Sequence, residues 1–202
     1  MKTVKVLFLL MTVLVMTSCW GWDVNTSDEN TKNIILEWDW KTTSGVRHFP
    51  WKDFSIKIPA AWNIVTKDKQ AVPTPKTGIL ELAITSTETK SGFANSLIIL
   101  SQELEDYTSS KQYSIVNSVW AENEYLNYLK LSGKEFSFDD WEKSMLYIFE
   151  AKYSKQTPVL KFLQTAYVCN DNKAFFLTIA LPTSLRKIKK YEKLLGTFSC
   201  KS

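Results

Sequence analysis

Leu36, Trp38 and Trp40 alternate with Glu37 and Asp39, and Phe54, Ile56 and Ile58 alternate with Ser55 and Lys57. Leu80, Leu82 and Ile84 repeat the same period. A period of two puts alternate side chains on one face, so each run predicts a half-buried strand. Pro59 ends the second of them, because proline cannot donate to a ladder. The continuous run "SLIILSQ" (96–102) predicts a strand buried on both faces. Ser109 and Gln112 have capping-box spacing and open a predicted helix reaching about Leu129, with Val116, Val119, Trp120 and Leu126 as its inner face.

The C-terminal half is more regular. Met145, Tyr147, Phe149 and Ala151 alternate along one strand, and Phe162, Ala166 and Val168 mark the next. "NDNK" (170–173) supplies turn residues, and Phe175, Leu177, Ile179 and Leu181 give a hairpin partner that stops at Pro182. Ser184 then caps a predicted helix with the stripe Leu185, Ile188, Tyr191 and Leu195, and Gly196 is placed to terminate it. Many antiparallel strands with few helices read as α+β, an antiparallel sheet flanked by helices.

The N-terminus follows a different pattern. Lys2 and Lys5 precede an apolar run from Val6 to Met16, and no acidic residue occurs before Asp23. This is the organisation of a signal peptide. As a helix the run would rise only about 16 Å, against a hydrocarbon core of roughly 30 Å, so a permanent span is not expected. The run ends in Val15-Met16-Thr17-Ser18-Cys19, which resembles the bacterial lipobox, with Met16 in place of the usual Leu, Val or Ile. The resemblance implies a diacylglyceryl group on the Cys19 thiol and cleavage that makes Cys19 the new N-terminus. Conventional cleavage near Ser18 and an uncleaved anchor are the alternatives. Trp20 and Trp22 follow, and indole rings favour the membrane–water interface. Trp20 is not Asp, so the usual inner-membrane retention signal is absent and either membrane could carry the anchor.

Composition narrows the remainder. Loss of residues 1–18 removes Lys2 and Lys5 and no acid, taking the net charge from +4 to +2, too little to make nucleic acid the main partner. With 45% apolar residues, the remaining chain suffices for a single core. "NTSDENTKN" (25–33) has no apolar residue and cannot bury enough surface to offset its ordering entropy, so it reads as a flexible spacer. The expected organisation is a signal peptide (1–18), a lipidated cysteine and tether (19–33), and one globular domain (34–202).

"GVRHFPWKDFSIKIPAAW" (45–62) resembles the opening of PsbP-like domains, and "LQTAYVCNDNKAFFLTIALP" (163–182), with the helix and Thr197-Phe198-Ser199 after it, resembles their close. The resemblance covers roughly Gly45 to Ser199. It implies a PsbP-like α/β/α sandwich and work done through surfaces more than through catalysis. No metal-binding residue of the family can be placed on this chain.

The candidate chemistry is sparse. Cys169 precedes the "NDNK" turn, the next strand runs away from that turn, and the last helix must run back, so Cys200 is expected near Cys169 and an oxidising compartment would bond them. Two unrelated free thiols are the alternative. His48 is the single histidine, so no cluster of histidines can hold a metal, and any Ser-His-Asp triad would have to use it. Glu103, Glu105 and Asp106, and Asp139, Asp140 and Glu142, form acidic clusters without a recognised cation-loop spacing, and read as solvated charge. Arg186, Lys187, Lys189, Lys190 and Lys193 decorate the outer face of the last helix. Trp38, Trp40, Trp62, Trp120 and Trp141 read mostly as core, whereas Trp51, beside Pro50 and Lys52, reads as an exposed contact.

Together these features predict a lipid-anchored, extracytoplasmic accessory or scaffold protein, neither an enzyme nor a cofactor carrier, docking on a membrane protein complex. Trp51 and the five cations are its candidate surface. A binding module for a small ligand or an envelope polymer is the alternative.

Overall fold

The computed structural model describes residues 46–65, 78–90 and 93–201. Strands β1 (Val46–Pro50), β2 (Phe54–Pro59), β3 (Trp62–Ile64), β4 (Ile79–Lys90) and β5 (Phe93–Glu103) precede helix α1 (Ser110–Glu124). Strands β6 (Leu126–Ser137), β7 (Lys143–Lys152), β8 (Leu160–Val168) and β9 (Lys173–Pro182) follow, then helix α2 (Lys189–Gly196) and strand β10 (Ser199–Cys200). The expected strand at Leu36–Trp40 lies outside the described residues.

Alternation decides which side chains meet. Ile84 stands opposite Leu97, Leu97 opposite Ile179, Ile179 opposite Leu163, and Leu163 opposite Ile148. This apolar row crosses an antiparallel seven-stranded sheet of order β3-β4-β5-β9-β8-β7-β6. A three-stranded sheet, β1-β2-β10, covers that face together with α2. Phe54, Ile56 and Ile58 of β2 are fully buried there, and the Phe54 ring lies 5.2 Å from Phe175 and 5.1 Å from Phe198. The fold is a sheet-dominant α+β architecture.

The opposite face carries a second row, Phe149 opposite Phe162 and Phe162 opposite Ala180. Helix α1 covers it, with the expected cap, Ser109 accepting from the Gln112 N–H. Two expectations fail here. The helix ends at Glu124, and residues 126–137 form β6. Register shifts near Leu126–Leu129 and Lys130–Ser132 break the period of two that would have marked this strand in the sequence.

The inner face of α1 is also not the apolar one. Ser110, Ser114 and Ala121 are buried, whereas Val116, Val119, Trp120 and, beyond the helix, Leu126 are exposed. Bulky rings already fill the sheet surface, so only small residues let the helix approach. The serines replace apolar contact with hydrogen bonds. Ser110 Oγ accepts from Val168 N at 2.8 Å, and Ser114 Oγ donates to Met145 O at 2.8 Å.

Helix α2 keeps its predicted stripe, with Tyr191 and Leu195 buried and Leu185 and Ile188 packed on the core. Its start differs, because Ser184 lies outside the helix and Ile188 occupies the cap position without a side-chain bond.

The reversed helix gives a direct test in urea denaturation at low protein concentration. Ala121→Leu should cost about 1–3 kcal/mol by overpacking, whereas Val116→Ala should stay within about 0.5 kcal/mol. The opposite ranking would refute the orientation of α1.

Candidate functional site

The turn after β8 brings the two layers together at one end. Cys169 N donates to Lys173 O at 2.9 Å and Asn172 N to Cys169 O at 3.1 Å. Asn172 closes the turn with φ 60°, a left-handed conformation that asparagine tolerates well. Cys169 is thereby bonded to Cys200, with Cα atoms 6.0 Å apart. Cys200 pairs with Phe54, so the disulfide ties β8 to the small sheet. The expected pairing of these two cysteines is present.

Lys173, at the start of β9, reaches the same place. Its Nζ lies 2.6 Å from Asp53 Oδ2 and 3.6 Å from Glu81 Oε1. Ser101 Oγ donates to Glu81 Oε1 at 2.6 Å, and Trp51 Nε1 donates to Glu81 Oε2 at 3.3 Å. Glu81 occupies a register shift of β4 between Leu80 and Leu82, where an irregular strand can redirect a side chain. The hydrogen bond from Lys173 holds the Asp53 carboxyl below its ordinary pKa and, reciprocally, holds the Lys173 ammonium above its own. The Asp53–Lys173 pair therefore remains charged across the neutral range, which suits a clasp and not a proton-transfer pair. Sequence reasoning missed it; the one visible signal was Glu81 interrupting an apolar run.

Trp51 belongs to this clasp. It is half-buried, it packs 6.3 Å from Phe54, and its carbonyl accepts from Lys201 Nζ. The expectation of an exposed contact is corrected, because the indole N–H finds a half-buried carboxylate. Trp62 is core at 6% exposure, but Trp141 is 84% exposed in the turn between β6 and β7, with φ 71°. Of the tryptophans read as core, Trp120 and Trp141 face outward.

Arg186, Lys187, Lys189, Lys190 and Lys193 are all exposed along α2 and its lead-in. Tyr191, Leu194 and Leu195 point the other way into the core. Lys190 Nζ lies 5.0 Å from the Tyr191 ring centroid. Glu192 is already held by Lys134 at 2.7 Å and offsets little of this charge. The contacts of Trp51 with Glu81, Phe54 and Lys201 place it at the clasp.

Glu103, Glu105, Asp106, Asp139 and Asp140 are exposed, and Glu142 is half-buried. Asp140 Oδ2 accepts from the Tyr167 hydroxyl at 2.8 Å; burial first, and this carboxylate second, push the phenol upward. Among the described residues no group of three or more His, Cys, Asp or Glu converges to hold a metal ion. His48 lies in β1 opposite Lys57 in backbone register. Cys19 lies outside the described residues.

Two measurements test the clasp. Closing a loop across 31 positions stabilises by about 3–4 kcal/mol on the chain-entropy estimate, so the double variant Cys169→Ser/Cys200→Ser should lose that much in urea. The Asp53 contribution is present above its ordinary pKa and is lost as pH falls through the depressed folded value. The Lys173 contribution is present below its ordinary pKa and is lost as pH rises through the raised folded value. Relative to Asp53→Asn, the wild type should lose stability more steeply on acidification, by about 1 kcal/mol or less, because the pair is partly exposed.

No family model and no curated protein matches the chain. Among solved structures it is similar to PA94, a protein of unknown function from Pseudomonas aeruginosa, at 9% identity and a TM-score of 0.45 over 73% of this chain and 88% of that one. It is also similar to a protein from Bacteroides thetaiotaomicron, at 12% identity and a TM-score of 0.37 over 74% of this chain, and spans 45% of that protein.

Proposed function

We propose that this chain is a lipid-anchored, extracytoplasmic, non-catalytic accessory or scaffold protein with a PsbP-like sandwich, docking on a membrane protein complex. The observation that carries the docking reading is the row of five exposed cations from Arg186 to Lys193; Lys189, Lys190 and Lys193 lie on α2 opposite its buried Tyr191, Leu194 and Leu195, and Arg186 and Lys187, expected on the helix, precede it. Such a row suits an acidic protein surface, and its attraction is long-range at low salt. The export reading is supported by the Lys2–Lys5 apolar leader, the lipobox-like ending at Cys19 and the Cys169–Cys200 bond, which is at home in an oxidising compartment. Among the described residues no helix is long and apolar enough to cross a membrane. The sandwich reading is supported by the resemblance of residues 45–62 and 163–182 and by α1 and α2 lying on opposite faces of one antiparallel sheet.

Cell fractionation and chemical crosslinking in intact cells test both halves. Cys19→Ser should release the protein from the membrane and leave its precursor unprocessed. Lys189→Glu with Lys190→Glu should leave it anchored but reduce crosslinking to one dominant complex, an effect that added salt should imitate. Equal membrane binding and equal processing of Cys19→Ser would sink the anchor. Absence of any specific crosslinked complex, together with a saturable thermal shift on ligand addition, would turn the reading to an envelope binding module.

A further inference from the structure

Helix α1 presents Ile115, Val116, Val119 and Trp120 outward at 42%, 51%, 53% and 47% exposure. These residues are the middle of two i, i+4 ridges. One ridge is Lys111, Ile115 and Val119, and the other is Val116, Trp120 and Glu124. The first therefore runs cation, apolar, apolar, and the second, read backwards, runs carboxylate, apolar, apolar. We propose that this face pairs with the same face of a second copy of the chain, two α1 helices lying antiparallel about a two-fold axis.

The charges of the helix favour that arrangement. Its first turn contains Lys111 and no acid, and its last turn contains Glu122 and Glu124 and no base. Both ends oppose the preference of the helix dipole for anions at the N-terminus and cations at the C-terminus. Lys111 is partly answered by Glu135 of β6, 2.6 Å away. Glu122 and Glu124 form no ion pair among the described residues.

An antiparallel copy reverses the mismatch. It sets the partner's N-terminal turn, with its positive dipole end, beside Glu122 and Glu124. In the register that places Val116 against the partner's Val119, Ile115 meets the partner's Trp120 and Lys111 meets the partner's Glu124. One register thus satisfies the apolar ridge and the charges together, as an isologous interface requires.

Another occupant fits less well. An anionic lipid surface would meet Glu122 and Glu124 on the helix and Glu105 and Asp106 just before it.

A photoreactive residue replacing Val116 in the full chain, irradiated in intact cells, tests the pairing. The expected product is a homodimer whose crosslink maps to the peptide containing Val119. Glu122→Lys with Glu124→Lys should lower the yield about fivefold or more while leaving the thermal midpoint unchanged or raised, because cations suit that helix end. A merely structural role for these glutamates would not separate the two readouts. No homodimer product, a product with lipid or with another protein, or a homodimer yield indifferent to the two substitutions would each overturn the proposal.

Discussion

A long antiparallel sheet with apolar residues on both faces must be covered on both, and the rest of this molecule follows from the two different solutions. On one face the Ile84–Leu97–Ile179–Leu163–Ile148 row meets another sheet, and aromatic side chains interdigitate around Phe54 and Phe198. That contact is made by shape and area. On the other face the rings of Phe149 and Phe162 stack with centroids 5.0 Å apart and leave little room above them. The helix there comes close by being small and stays by hydrogen bonding, through Ser110 and Ser114. Its apolar residues are left on the outside.

The two-sheet side has a further requirement. Among the described residues no strand of the small sheet pairs with the large one, so beyond the short β2–β3 link its position depends on side chains. The disulfide and the Lys173 clasp fix one end. Within the small sheet and its lead-in, Thr197 Oγ1 accepts from Lys57 N at 3.0 Å, and the Ser55 and Ser199 hydroxyls lie 2.9 Å apart. Sliding of one layer over the other would break the covalent and the ionic contact together.

The sequence was most legible where burial alone sets the period. β2 could be read from its alternation because one face is packed against the core, whereas β7 and β9, found by the same period, are buried on both faces. Cys169 and Cys200 could be paired by following chain direction through a hairpin and a helix. Where a second interaction competes with burial, the pattern misleads. In α1 the apolar period is real, yet it marks the outer face, since hydrogen-bonding serines win the inner one. In β6 two register shifts erase the period altogether. Trp51 looked exposed because Pro50 and Lys52 beside it suggest a loop; its partner, Glu81, lies thirty positions away and carries no local signal. Of the candidate surface, the α2 cations were legible because their buried counterparts repeat with helical spacing.

The placement of β10 has a consequence in time. Residues 199–200 lie beside β2, and the bond that fixes them joins Cys200 to a cysteine in the preceding hairpin. β2 therefore gains its second neighbour only after nearly 140 further residues have been made and delivered. Until then its buried face has only part of its cover, and the chain exposes Phe54, Ile56 and Ile58 to any other apolar surface nearby. Closing so long a span is entropically slow. Under the export proposed above, such a chain would be held open most easily during passage through a narrow translocation channel, and it would complete its fold on the far side, where the thiols can oxidise.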